Sequence, residues 1–197
     1  MVIPPAEQIE VTPRRYTTIP PGEFLAFEPK DDLVPDMPRT GEGYNVHVTG
    51  LTHDERGYPD MTPATQDKLV RRLQDKIKKN VDKISLYEEE QIEGAEVVVV
   101  SYGITSRVAQ RAIELARKKG VKVGKFRLIT AWPFPEKQIE EIAGKVKAVV
   151  VVELNLGQMV REVERAAGKA KVRFVGHAGG SVHRPEDILQ AIMEVAR

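Results

Sequence analysis

The chain has 197 residues, 41% of them hydrophobic and 30% charged, enough for one medium domain, or one domain plus an arm, under a heavily charged surface. Thirty basic side chains against 29 acidic ones leave a formal net charge of +1, which excludes the strong field that would draw nucleic acid or an acidic membrane. With no cysteine there is no disulfide, no thiol nucleophile and no iron–sulfur cluster held by this chain. No apolar run approaches the roughly 18 residues of a membrane span, and Met1–Glu10 lacks a signal-peptide pattern, so a cytoplasmic protein is expected. Abundant Lys, Glu and Arg without Cys is also a thermophile-like composition.

The first third differs in kind from the rest. Ten of the 13 prolines lie in residues 1–63, among Gly, Asp and Thr. Proline fixes φ and removes a backbone donor, so this segment is poorly suited to a sheet interior. It reads as an extended arm over 1–62 that is disordered or wraps another surface, with one short strand hinted at by the alternation in Tyr44–Thr49. Thr62-Pro63 then starts a helix, Thr as N-cap and Pro at the first helical position. Leu69, Val70, Leu73, Ile77, Val81 and Ile84 recur at helical spacing, so the pattern predicts a long amphipathic helix over Pro63–Asp82 that leads a domain over 63–197.

Ile84–Tyr87 reads as a short strand before the acidic run Glu88–Glu90. Val97–Val100, four valines without polar alternation, is what a strand covered on both faces looks like. The Thr105–Lys119 segment carries Val108, Ala109, Ala112, Ile113 and Ala116 on one helical face and closes at Gly120, so strand, Gly turn and helix form a βαβ unit with Thr105 or Ser106 as cap. Further strands are predicted at Val121–Thr130, Val146–Val152 and Val172–Val175, and helices at Pro135–Ala143, Gly157–Ala167 and Pro185–Val195. Strict alternation of this kind makes an α/β fold: a mostly parallel sheet of about five strands between two layers of helices.

In such sheets ligands bind outside the carboxyl ends of the strands. Four loops fall there: Tyr102–Ser106, Thr130–Pro135, Glu153–Gln158 and Gly176–Arg184. The first lacks both GxGxxG and a P-loop lysine, so no nucleotide is expected. The Gly-rich loop Gly176–Ser181 offers backbone donors to an anion, but Glu186 and Asp187 open the next helix and oppose one. His177 and His183 lack a third ligand nearby, so no metal site is expected. Trp132 and Phe134 sit between prolines as a rigid aromatic corner facing a core or an interface. Glu153, Asn155 and Gln158 follow a buried strand and form a hydrogen-bonded corner or a partner-facing site. His53, Asp54 and Glu55, with Thr49 upstream, have the residue types for acid–base or metal work, but nothing in the sequence supplies partners to orient them.

Taken together, the stretches YNVHVTGLTHDERGYP, VVVVSYGITSRVAQRAIELARKKGVKVGKFRLITAWPFP and VVVVELNLGQMVREVERA resemble the alpha subunit of 2-oxoacid:ferredoxin oxidoreductases, particularly the 2-oxoglutarate type. The resemblance runs from about Gly43 to the C-terminus, and Val2–Val11 resembles the family's interdomain segment. It implies a transketolase C-terminal-like three-layer domain whose first strand runs antiparallel, the role given to Ile84–Tyr87. It implies a holoenzyme with thiamine diphosphate, Mg²⁺, Fe–S clusters and CoA, a beta subunit, a preceding pyrimidine-binding domain, and ferredoxin as acceptor. The family's GDG diphosphate motif is absent, so the chain is expected to hold no cofactor or metal and to supply no catalytic residue. It reads as a C-terminal fragment or separately encoded half, with Thr49, His53, Asp54, Glu55, Trp132, Phe134, Glu153, Asn155 and Gln158 as candidates for the partner-facing or entrance-facing surface. A free-standing module for a small anionic ligand and a homo-oligomeric scaffold stand as alternatives.

Overall fold

The computed structural model describes residues 3–168 and 171–197 and divides into two compact units, Met1–Lys79 and Asn80–Arg197.

The second unit is a five-stranded sheet flanked by helices. Its strands are β1 (Tyr87–Glu90), β2 (Val97–Tyr102), β3 (Val123–Leu128), β4 (Ala148–Glu153) and β5 (Lys171–Gly176), in the order β1-β3-β2-β4-β5. β2 lies parallel to β3 and β4, and β4 parallel to β5; β1 alone runs antiparallel, against β3. The valine runs sit in the two central strands, where successive side chains enter opposite faces and each face is roofed by helices. On one face Val98, Val100, Val149 and Val151 pack with Ile139 and Ile142 of α4 (Glu136–Ala143) and with Val160 and Val163 of α5 (Met159–Ala167). On the other, Val97, Val99, Val150 and Val152 pack with Ala109 and Ile113 of α3 (Thr105–Lys118) and with Ile188 and Ile192 of α6 (Pro185–Val195). Fully burying one such aliphatic side chain contributes about 1.5–3 kcal/mol, so the eight valines alone anchor the three layers.

The antiparallel strand falls three residues later than expected. Ile84 closes the short helix α2 (Val81–Ile84), and the strand is built from Tyr87 and the acidic run itself. Cations explain the shift: Arg127 of β3 meets Glu88 at 2.9 Å and Arg117 of α3 meets Glu90 at 2.6 Å, while the Tyr87 ring stacks on Phe126 at 4.9 Å. Charged residues also suit an edge strand, where they discourage pairing with another chain.

The first unit contains a 3-10 turn at Ala6–Gln8, isolated bridges at Tyr16–Met37 and His53–Pro59, and the helix α1 (Pro63–Lys78). Thr62 caps α1 by accepting from the Thr65 amide, with Pro63 at the first position. The helix stops at Lys78, short of the expected Asp82, and groups with the N-terminal segment, whereas the sequence pattern attached it to the sheet domain. No strand forms over residues 44–49; Tyr44 instead donates its hydroxyl to the Ile19 carbonyl at 2.8 Å and sets its ring edge-on to Phe24. The expected arm opens with Met1 and Val2, which lie outside the described residues. Among those described, no helix is long and apolar enough to cross a membrane.

Candidate functional site

Parallel strands bring the loops after β2, β3, β4 and β5 to one edge of the sheet. Glu153, the last residue of β4, is completely buried there. Its carboxylate accepts the amides of Met159 and Val160, both at 2.8 Å, the first free donors of α5. It also accepts the Tyr102 hydroxyl at 3.3 Å and the Asn155 amide at 3.0 Å. Asn155 in turn donates to the Tyr102 oxygen at 2.8 Å and accepts the Gly157 amide at 2.7 Å and the Gln158 amide at 3.1 Å. The turn requires glycine at 157: φ is +100°, and a Cβ there would come within 3.0 Å of Val160. Burial, and then the Glu153 charge, raise the Tyr102 phenol above its ordinary value and keep it a protonated donor.

The consequence is chemical. The N-terminus of α5, where an anion would ordinarily be received, is already filled by the chain's own carboxylate. At the α3 start the hydroxyls are spent inside the turn: Thr105 bonds the carbonyls of Tyr102 and Val152, and Ser101 donates to Ser106. At the α6 start Glu186 and Asp187 occupy the first turn, with Asp187 bound to Arg184. Beside exposed polar residues such as Gln158 and Arg184, each loop of this edge also presents a large apolar side chain outward. Ile104, Ile129, Trp132, Leu156 and Val182, one or two from each loop, are exposed, Trp132 by 64% and Leu156 by 81%.

The candidate residues therefore separate. Glu153 and Asn155 form the structural corner, and Gln158 lies at its exposed rim. Trp132 faces outward, but Phe134 packs into the core beside Ile139, so only one ring of the aromatic corner is available to a partner. Tyr102 and Thr105 complete the corner. The sequence marks Thr105 only as a helix cap, and its signal for Tyr102 is a polar-tipped ring ending one valine strand while a glutamate ends its neighbour.

The four N-terminal candidates come together in a hairpin turn of the first unit. His53 is 4% exposed and donates from Nδ1 to the Gly57 carbonyl at 2.9 Å, while Nε2 accepts the Thr49 hydroxyl at 2.6 Å. Its ring stacks on Phe27 at 4.9 Å. Both nitrogens are thus occupied, and the partners that the sequence did not reveal are present. Asp54 accepts the amides of Arg56 and Tyr58 and pairs with the Arg56 guanidinium, which holds its carboxyl below the usual range. Glu55 pairs with Lys68. His53 is committed to holding the turn and has no free nitrogen for proton transfer.

The loop after β5 holds a histidine pair. His183 is 6% exposed, neither ring nitrogen finds a partner in hydrogen-bonding geometry, and its ring lies 4.6 Å from that of His177. Burial, and then the neighbouring imidazole, push His183 below its ordinary value near 6.5; the Val175 backbone and Asp187 pull the other way without reversing it. A base depressed in the folded state leaves the unfolded chain binding more protons, so stability falls as pH drops below about 6.5. Urea titrations at pH 7.5 and 5.5 should show this loss, and His183→Gln should reduce it; an unchanged pH slope in the variant would refute the assignment.

Residues 95–188 match the pyruvate:ferredoxin oxidoreductase core domain II family. The chain is 46% identical over 193 residues to 2-oxoglutarate synthase subunit KorA of Methanothermobacter thermautotrophicus, covering 97% of this chain and 51% of the relative. It is 52% identical over 166 residues to the subunit of the same name from Methanocaldococcus jannaschii, covering 84% and 44%. Among solved structures it superposes on the 2-oxoglutarate:ferredoxin oxidoreductase of Magnetococcus marinus with a TM-score of 0.86 at 26% identity, over 98% of this chain and 34% of that one. The chain spans about half the length of the curated relatives it matches. The chain belongs to the 2-oxoacid:ferredoxin oxidoreductase family, and its sheet domain carries the match to core domain II.

Proposed function

We propose that this chain serves as the partner-binding half of the alpha subunit in a thiamine-diphosphate-dependent 2-oxoglutarate:ferredoxin oxidoreductase. The holoenzyme would decarboxylate the 2-oxoacid oxidatively, form an acyl-CoA and pass two electrons to ferredoxin. The observation that carries the reading is the carboxyl edge of the sheet: Glu153 takes the amides that start α5 and Glu186 and Asp187 stand in the first turn of α6, while every edge loop exposes a large apolar side chain. Such an edge suits burial against protein better than capture of a charged ligand. The Magnetococcus enzyme, solved with 2-oxoglutarate, coenzyme A and succinyl-CoA, and the relatives named 2-oxoglutarate synthase support that substrate.

Thiamine diphosphate supplies a carbanion-stabilising centre when bound, but the donors on this chain do not fit it. Its diphosphate needs a divalent cation and free amide donors. Among the described residues no cluster of three or more His, Asp or Glu could hold a metal, and the amides starting α5 are spent on Glu153. No step of the reaction is assigned to these residues. Residues 1–62 would lie on the pyrimidine-binding domain or on the beta subunit, with Thr49–Pro59 bordering the active-site entrance.

Reconstitution tests this. The chain is combined with its complementary N-terminal alpha domain and a beta subunit, and 2-oxoglutarate-dependent ferredoxin reduction is followed. Activity should require the chain, and Trp132→Ser with Leu156→Ser should weaken assembly by about tenfold or more, the order expected for an aromatic hot spot, with an unchanged thermal midpoint. Activity that persists when the chain is omitted refutes the proposal. Assembly of the chain only with itself, read by light scattering, would refute it in favour of a homo-oligomeric scaffold.

A further inference from the structure

The first unit holds a cleft of about 400 Å³, within the size range of small-molecule sites. Its walls are largely apolar, with Phe27, Pro29, Leu33 and Leu69 among them, and the Phe27 ring is stacked on the buried His53, which also lines the cleft. Four charged side chains also line it. Three are neutralised within the unit: Lys68 by Glu55, and Asp54 by Arg56. The fourth, Arg72, is half-buried and enters no ion pair among the described residues. Among the described residues its guanidinium makes one hydrogen bond, from Nη1 to the Leu33 carbonyl at 3.0 Å, and desolvation already disfavours its charge. That carbonyl is presented by a leucine at φ +65°, a left-handed conformation unfavourable for a residue with a side chain. Most of a five-donor guanidinium thus stands unspent at the wall of an apolar cleft, where the low local polarity strengthens any anion it meets.

We propose that this cleft binds a small carboxylic acid with an apolar, ring-sized body. The carboxylate is received by Arg72 in a forked, charge-assisted pair, and the body lies against Phe27 and Leu69. The site takes one negative charge, because one positive charge is uncompensated. The inference does not depend on the assembly reading; it stands on the N-terminal unit, not on the sheet edge.

The test titrates the ¹⁵N-labelled 197-residue chain with 4-phenylbutyrate and with its neutral amide, followed by amide and Arg side-chain resonances. Saturable shifts should be confined to residues around the cleft, and the acid should bind at least about tenfold more tightly than the amide, the value of one charged hydrogen-bonded pair. Arg72→Gln should abolish that preference, whereas Lys68→Gln combined with Glu55→Gln, which removes a neutralised pair together, should retain it. The Arg72 Nε–H resonance of the unmutated chain answers without a variant: it should move with the acid and stay in place with the amide. No saturable shift, equal affinity for acid and amide, or an Arg72 resonance unmoved by the acid overturns the proposal. Tighter binding of acetyl-Phe-Glu-amide than of phenylbutyrate overturns the small-molecule assignment in favour of an acidic side chain on a partner protein.

Discussion

Replacing Glu153 with alanine is expected to destabilise the sheet domain by about 2–4 kcal/mol, a large share of the 5–15 kcal/mol typical of a domain. The substitution orphans the amides of Met159 and Val160 at the buried start of α5 and leaves the Asn155 amide and Tyr102 hydroxyl facing an empty corner. Each unsatisfied buried donor costs about 1–3 kcal/mol, and the sum is offset by removing a carboxylate that is itself expensive to bury. Glu153→Gln keeps the shape but turns an N–H toward donors, so its loss should be smaller. Tyr102→Phe removes only a 3.3 Å bond and the acceptor for Asn155 and should cost about 1 kcal/mol. Urea midpoints of the three variants should fall in that order. If Glu153→Ala unfolds with the parent midpoint, the carboxylate is not what closes this edge, and the argument that the edge is barred to anions fails with it.

How much of this was readable beforehand depends on whether the determining contacts are local. β2 and β4 were legible because an unbroken valine run leaves a strand little choice but the sheet centre, and the helices because their apolar residues repeat with the helical period. β1 was not, because the glutamates that form it are held by Arg117 and Arg127, 27 and 39 residues away. The α1 end was placed too late because Val81 and Ile84 continue the helical spacing across the break after Lys78, in a second short helix. For the site, residue types were visible and orientation was not. Nothing in Trp132-Pro133-Phe134-Pro135 says which ring turns inward, and the turn sends Phe134 to the core and Trp132 to the surface. At Glu153, corner and partner site were equally open readings; only the amides of α5 folding back over it decide between them.

The same logic, applied to the first unit, gives the other large effect. Every buried hydrophobic side chain among the described residues lies at Ala95 or beyond, so residues 3–79 are held by half-buried apolar contacts, turns, ion pairs and a few buried polar groups. Such a unit sits at the low-stability end of a protein, where a few kcal/mol decide between closed and open. His53 ties three parts of it together: Thr49 through Nε2, Gly57 through Nδ1, and Phe27 through the ring stack. Two hydrogen bonds and an aromatic stack amount to about 2–4 kcal/mol, comparable to all the local stability such a unit has. His53→Ala should therefore abolish hydrogen-exchange protection over residues 49–60 while leaving the amides of β2 and β4 as slow as in the parent. It should also remove binding of the carboxylate probe, because the Phe27 wall loses its support. Thr49→Val deletes one of the three ties and should fall between. Unchanged protection over 49–60 in His53→Ala would mean that the turn is held by Asp54 and its backbone bonds alone, and that the buried imidazole is only packed there.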